Sequence, residues 1–420
     1  MAEKERKSKK KKEPSEHKEN WKEYTATVED IERFLSDNVF LRYNVVTGRT
    51  EYRMPEASWV PVSDRVVNDL WRALYKQKKV NIKHLWQVIE SDFTPEYNPF
   101  AFYLEHLPPW NGRDDYILEL SLSVNVKGGV DEQLLFAECL RKWLVAMVAG
   151  WVDAKVVNHE ILILIGEQGS YKTTWFDHLL PPELHEYFRI KTNASYLTKD
   201  DLLTLTQYGL VCYEELDTMR PSELNQLKSA VTAPAVDERR PYGRFTEHRP
   251  HLASFCGTGN NMQFLSDTTG NRRWLPFEVE SIMSPRDHPF NHEGVYSQAY
   301  ALYRQGFQYW FSQQEIQQLA AHVRQFETPR LESELVSYYF RIPSDCEPGE
   351  FISVARALQL VSGNIPQKLS PVYVGRAFGE LGFQRVKCRG VRGYRVVRRS
   401  AEELAALSRT MAYDAEPDGQ

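Results

Sequence analysis

Apolar positions along the first third of the chain recur every three or four residues. Val66–Leu74 (VVNDLWRAL) and Leu134–Val148 (LLFAECLRKWLVAMV) keep this rhythm most clearly and are expected to be helices. From Trp21 to Asn158 the pattern is mainly helical, interrupted by an extended piece at Val45–Arg53, where a Thr47-Gly48 turn separates Arg42-Tyr-Asn-Val from Glu51-Tyr-Arg. Trp59, Trp71, Trp86, Trp110, Trp143 and Trp151 follow the apolar rhythm and read as packing anchors. The pattern changes at Ile161–Ile165 (ILILI), an unbroken aliphatic run followed by a glycine-containing loop and a helix that ends near Leu180-Pro181-Pro182. Leu210–Tyr213 and Leu252–Gly257 are further apolar runs, with a helix expected at Ser222–Val231 between them. Strands alternating with helices predict a parallel sheet buried on both faces.

After Ile282 a helical stretch, Val295–Phe326, leads to a small unit over Leu331–Arg399. The expected organisation is therefore a tail (1–20), a mainly helical region (21–155), an α/β core (156–283), a helical connector (284–330), a basic α+β unit (331–400) and a second tail (401–420). A length of 420 residues suits two or three domains.

Composition narrows the class only a little: 42% hydrophobic and 26% charged residues, with 22 Gly and 22 Pro, is ordinary globular usage. Charge says more once it is divided. The 52 basic and 57 acidic residues leave −5 overall, yet residues 1–12 carry +5 and residues 371–400 carry +7, so the rest carries −17. Two basic ends on an acidic body favour localised grips on nucleic acid over a uniformly basic coat. The N-terminal tail itself reads either as a solvated leader or as a DNA-gripping arm.

The five cysteines lie far apart with no CxxC pair, which argues against a disulfide framework or a zinc ribbon and for a reducing, cytoplasmic setting. The N-terminus lacks the apolar segment of a signal peptide. The longest apolar stretch, Phe136–Val157, is broken by Glu138, Arg141, Lys142, Asp153 and Lys155, and so is expected to be a core helix with no membrane partner.

Candidate chemistry begins at Gly166-Glu-Gln-Gly169-Ser170-Tyr171-Lys172-Thr173-Thr174. A nucleoside triphosphate needs a loop whose backbone N–H groups curl around the phosphates, a lysine for the β and γ oxygens and a hydroxyl for Mg²⁺. Gly166, Gly169, Lys172 and Thr173 stand where such a P-loop requires them, so ATP and Mg²⁺ are the expected ligands. Tyr171 stands where the strict pattern has Gly, and is expected to need a negative φ with its ring outside the loop. Glu214-Glu215-Leu216-Asp217 follows the second strand as a Walker B-like element. Glu215 is the candidate water-activating base and Glu214, with Thr173, the candidate metal-side residue; Asp217 either joins them or caps the next helix. Asn260, at the end of the third strand, is a candidate γ-phosphate sensor, and Arg272-Arg273 a candidate phosphate-stabilising finger supplied to a neighbouring subunit.

Two segments carry candidate nucleic-acid contacts. Arg239, Arg240 and Arg244 lie between the second and third strands, either on a pore-facing loop or on a structural hairpin. Phe351–Val361 and Val372–Leu381 read as helices, and residues 384–399 as an alternating hairpin bearing Arg385, Lys387, Arg389, Arg392 and Arg395. Helix, helix, hairpin is a winged-helix-like order, suited to binding phosphate backbone.

Taken with Arg240-Pro-Tyr-Gly-Arg244, Phe255-Cys-Gly-Thr-Gly-Asn260 and Phe264-Leu-Ser-Asp-Thr-Thr-Gly-Asn-Arg-Arg-Trp274, these motifs resemble the virulence-associated E family over about residues 95–282. That family, of bacterial mobile elements and prophages, is similar to P-loop ATPases related to superfamily 3 helicases. The resemblance implies a ring-forming, hexameric, DNA-dependent ATPase that works on single strands beside a separate primase or replication initiator. Two departures stand out: Tyr171 for Gly, and Cys212 where an acid is common. The alternative reading is an ATP-gated DNA-binding or regulatory switch with little turnover; an interaction scaffold with a degenerate loop is a third.

Overall fold

The computed structural model describes residues 25–192, 199–238, 245–265, 271–328, 330–344, 347–363 and 368–413. Helix α1 (Val28–Asn38) starts at a reciprocal cap, in which the Asp30 amide donates to Thr27 Oγ1 (3.3 Å) and the Thr27 amide to Asp30 Oδ2 (2.9 Å). With α2 (Asp64–Tyr75) and α3 (Ile82–Ile89) it closes a core containing Phe34, Leu35, Val67, Leu70 and Leu85. The expected hairpin is present: β1 (Phe40–Asn44) pairs antiparallel with β2 (Arg49–Arg53). The two-residue strands β3 (Val60–Pro61) and β4 (Glu96–Tyr97) extend it into a four-stranded sheet, order β3-β2-β1-β4. The region is thus less purely helical than its pattern suggests, because a two-residue strand shows no alternation.

Helices α4 (Pro99–Glu105) and α5 (Tyr116–Ser121) and strand β5 (Val124–Val126) lead to α6 (Val130–Val152), which carries the long apolar stretch only as far as Val152, the helix ending before Asp153. Two of its tryptophans tie it to the sheet that follows. Trp143 Nε1 donates to the Phe255 carbonyl (3.1 Å) and Trp151 Nε1 to that of Gly209 (3.2 Å). Its Lys142, only 6% exposed, donates to Glu315 (2.6 Å). Among the described residues no helix is long and apolar enough to cross a membrane.

The central sheet is built from β6 (Ile161–Ile165), β7 (Phe188–Lys191), β8 (Leu210–Tyr213), β11 (Ser254–Gly259) and β12 (Trp274–Ile282), with α7 (Lys172–Asp177), α8 (Lys199–Gln207) and α9 (Pro221–Val231) between strands. A separate two-stranded ladder, β9 (Ala235–Glu238) with β10 (Glu247–Pro250), precedes β11. The sheet order is β5-β12-β6-β11-β8-β7, parallel throughout except for β5 against β12. Every residue of β6, β8 and β11 is buried, as a strand covered on both faces must be. The third strand lies slightly later than expected, at Ser254–Gly259. Cys212 and Cys256 face each other in register, and the cysteines among the described residues are free.

The helical stretch after the sheet is two helices, α10 (His292–Arg304) and α11 (Gln313–Val323), not one. Packing divides the chain into two units: residues up to Asn260 with Arg273–Ile316, and Asn261–Arg272 with the chain from Gln317 onward. The second unit contains α12 (Leu331–Tyr339), β13 (Phe340–Arg341), β14 (Glu350–Ser353), α13 (Val354–Val361), α14 (Pro371–Glu380), the hairpin β15 (Arg385–Cys388) and β16 (Val391–Arg398), and α15 (Ala401–Tyr413). Its core includes Val336, Phe340, Ile352, Val374, Phe378 and Val396. Phe351–Ser353, expected to be helical, is instead strand β14, paired with β16. The helix begins only after Ser353, whose hydroxyl accepts the Arg356 amide (3.3 Å) as an N-cap.

Candidate functional site

Strand order sets the site. β11 follows β8 in the chain but lies between β6 and β8, so the segments leaving the carboxyl ends of these three strands emerge side by side. In an open parallel sheet this end is where ligands collect. The Gly166 amide donates to the Gly259 carbonyl (3.1 Å), locking the start of the loop after β6 to the end of β11. The loop residues 168–174, Glu214, Glu215, Thr258 and Asn260 together line a cavity of about 380 Å³.

Lys172 opens α7 and is 7% exposed. Its Nζ donates to the carbonyls of Gly166 (2.7 Å) and Glu167 (2.6 Å) and to Ser170 Oγ (3.2 Å), which holds the ammonium at the mouth of the loop. Burial pushes its pKa below the ordinary lysine value, and the Asp217 carboxylate opposes that shift. The Trp175 indole donates to Ser123 Oγ (2.8 Å) and anchors the helix behind the loop.

Tyr171 departs from expectation. Its φ is +62°, in the left-handed region, not negative, and the residue is 46% exposed. Gly169 is also left-handed, at φ +86°. These two left-handed turns lead into Lys172, whose Nζ folds back onto the loop's own carbonyls. A left-handed L-residue costs about 1–2 kcal/mol, whereas glycine adds roughly 0.5–1 kcal/mol of chain entropy to be lost. Tyr171→Gly is therefore expected to leave stability in denaturant unfolding within about 1 kcal/mol. Tyr171→Val, β-branched in the same conformation, is expected to cost roughly 1 kcal/mol or more relative to Tyr. Equal stability of all three proteins would sink the strain argument.

The acidic turn carries a second left-handed residue, Glu215 at φ +54°. Of the four non-glycine residues with positive φ among those described, Tyr171 and Glu215 line this one cavity, a clustering typical of functional sites. The Glu214 amide closes the pairing with β7 by donating to the Lys191 carbonyl (3.1 Å), and buried Leu216 anchors the turn. Asp217 does not cap α9: Arg220 is the N-cap there, bracketed by Glu223. A Cβ at Gly259 would stand 3.2 Å from Asp217 Oδ1, so glycine at that position leaves room for the carboxylate against the strand. Asp217 as the electrostatic partner of Lys172, and Thr258 as a wall of the cavity, were not anticipated. Thr258 was findable, since it sits two residues before Asn260 and hence on the same face of β11.

The other candidates fall elsewhere. Arg272 and Arg273 lie in a short turn over Asn271–Arg273, where the first unit resumes at Arg273, and Arg273 is not among the described lining residues of the cavity. Arg239, Arg240 and Arg244 lie outside the described residues. The C-terminal hairpin separates its cations. Arg385 pairs with Tyr394 and Lys387 with Arg392, which puts Arg385, Lys387 and Arg392 on one face. Arg395, opposite Phe351, is on the other face, and Arg389 forms the turn at φ +47°.

The residues fit a magnesium nucleotide on chemical grounds. Among the described residues no cluster of three or more His, Cys, Asp or Glu could hold a metal alone. Mg²⁺ commonly uses one or two carboxylates and completes its shell with water and substrate phosphates. Thr173 and Glu214 offer hard oxygen donors of that kind, and Lys172 is the one cation among the cavity's described lining residues.

A family model described as the virulence-associated protein E-like domain matches residues 115–328, just over half of the chain. No curated protein matches. Among solved structures, the apo structure of the NrS-1 C-terminal region (305–718) aligns with a TM-score of 0.48 and 12% identity, covering 88% of this chain and 98% of that one. An A-form apo structure of the same region aligns at 0.47 and 13% identity, covering 87% and 98%.

Proposed function

The chain belongs to the virulence-associated protein E-like domain family, and from that premise and the site's geometry we propose that it is a P-loop ATPase whose turnover depends on DNA. In this reading it is a helicase-like motor in replication of a mobile element or prophage, working as a homo-oligomeric ring beside a separate primase or initiator. The observation that carries the reading is the convergence of a lysine loop, two glutamates and an asparagine on one cavity at the carboxyl ends of three adjacent parallel strands.

Each residue has a role in keeping with its chemistry. Lys172 balances phosphate charge, with the Asp217 carboxylate opposing the downward shift that burial imposes on its ammonium. Ser170, Thr173 and Thr174 supply hydroxyls to the phosphates, and Thr173 with Glu214 holds the metal. Bound Mg²⁺ supplies charge neutralisation at the phosphate oxygens. Glu215 orients a water and takes its proton, and Asn260 contacts the terminal phosphate from the neighbouring strand. Arg272 or Arg273 acts at a neighbouring subunit's site.

The test is ATP turnover with and without single-stranded DNA, joined to a strand-displacement assay. Stimulation with unwinding is expected. ATP binding without turnover would instead support the second reading, an ATP-gated DNA-binding switch, which the strained Tyr171 in the loop favours.

A further inference from the structure

The second unit contains a cleft of about 310 Å³ between the first turn of α14 and one face of the β15–β16 hairpin. Its walls include Pro371 and Val372 on the helix and three arginines from three different elements: Arg376 on α14, Arg385 on β15 and Arg392 on β16. No carboxylate lines it, and none of the three arginines has an ion-pair partner among the described residues. Arg341 and Arg398 of the same unit, by contrast, pair with Glu347 and Glu350.

The cleft is also held in shape. Tyr394 is 4% exposed, stacks on Phe378 (4.8 Å between ring centres) and donates its hydroxyl to the Gly375 carbonyl (2.7 Å), so hairpin and helix are joined through one ring. The same hydroxyl accepts from Arg385 Nη2 (3.3 Å), which steers that guanidinium along the cleft wall. Arg376 lies over the Tyr373 ring (5.7 Å). Three guanidinium groups without ion-pair partners lining one open cleft call for an anion with several oxygens, and planar forks suit phosphate best.

We propose that this cleft binds the phosphodiester backbone of a nucleic-acid strand through Arg376, Arg385 and Arg392, with Tyr394 as a positioning residue. The proposal deepens the DNA-dependent reading above and rests on it for the choice of nucleic acid as the source of phosphate. It also redraws the basic hairpin: Arg395, on the opposite face, does not belong to this contact.

The experiment measures binding of a labelled oligonucleotide, single- and double-stranded, to the full chain across a salt series without ATP. Each neutralised phosphate contributes about 0.9 to the magnitude of the slope of log K against log salt for duplex and about 0.7 for a single strand. Arg376→Ala, Arg385→Ala and Arg392→Ala are each expected to lower the slope by about one contact and to weaken binding severalfold. Arg356→Ala, which removes an exposed charge on α13, serves as the control and should keep the slope. Tyr394→Phe, which keeps the stack but frees Arg385, is expected to weaken binding less than Arg385→Ala.

A slope unchanged in the three cleft variants overturns the proposal. So does a cleft that inorganic phosphate or dTMP protects while oligonucleotide affinity stays independent of the arginines, because the source would then be free phosphate. Failure of the motor reading is read separately: a chain that binds DNA through the three arginines but never turns over ATP overturns only the ATPase.

Discussion

Lys172→Ala is expected to reduce ATP turnover by about a hundredfold or more without unfolding the protein. The cavity has no second cation among its described lining residues to take over the charge, while Glu214 and Glu215 add negative potential. The loop itself should survive, because its start is tied by the Gly166 amide and its end by the Trp175 indole, neither of which involves the lysine side chain. Lys172→Arg should not rescue: the residue is 7% exposed, and its Nζ meets three acceptors at 2.6–3.2 Å that a planar guanidinium cannot meet in the same way. Glu215→Gln is the companion variant. It should lower turnover by about 10²–10⁴-fold yet leave nucleotide binding, since the base acts on water and not on the phosphates. Turnover unchanged in both variants, measured by phosphate release with intact thermal unfolding, would remove the enzyme reading.

Glu315→Gln is expected to destabilise the first unit by about 3–5 kcal/mol, the largest stability effect foreseen for a single polar substitution. Lys142 is 6% exposed on α6, and its Nζ reaches Glu315 Oε1 at 2.6 Å and the Trp310 carbonyl at 3.3 Å. Glu315 also accepts the Ser312 amide (2.6 Å) in a Ser-x-x-Glu cap at the start of α11. Glutamine can keep that cap through its single carbonyl oxygen, but its NH2 donor then faces Lys142, so the substitution removes both the charge and the acceptor and leaves the buried ammonium with the Trp310 carbonyl. Lys142→Met combined with Glu315→Gln should recover most of the loss, because removing both charges also removes their desolvation.

Acid acts on the same pair. Burial raises the Glu315 pKa, but hydrogen bonds from Lys142 and Ser312 outweigh it and hold the value at about 2. With an ordinary glutamate near 4.3 in the unfolded chain, this contribution is complete above that value and is lost as pH falls towards about 2. Denaturant unfolding of the four proteins, wild type, two singles and the double, measures the coupling. A Glu315→Gln loss under about 1 kcal/mol would show that the pair behaves as a surface contact.

What could be read from sequence follows from how much chain each feature occupies. β6 and β8 were legible because a strand buried on both faces must be apolar throughout, and ILILI and LVCY are. β12 was not, although it lies inside the sheet, because Pro276 interrupts its run and argues against a central strand. The exception has a cause: β5 pairs with β12 only from Val279 onward, so at Pro276 the side away from β6 has no strand to receive an N–H. The site residues were legible as types in order along the chain. Their convergence depends on β11 being inserted between β6 and β8, which no local pattern encodes. At Tyr171 residue preference points to a negative φ, whereas the loop's path holds it at +62°.

The insertion of β11 also bears on how the chain is made. β6 has two neighbours, β11 and β12, and both are synthesised long after it. Until Ser254–Gly259 and Trp274–Ile282 have left the ribosome, five consecutive aliphatic residues have no strand to pair with. A short, uncharged, β-prone segment waiting in that state is prone to pair with another copy of itself. Late closure of non-local strands is also slow. The nascent chain therefore has its greatest need of shielding between the making of the lysine loop and the making of β11, and truncation in that interval leaves β6 without either neighbour.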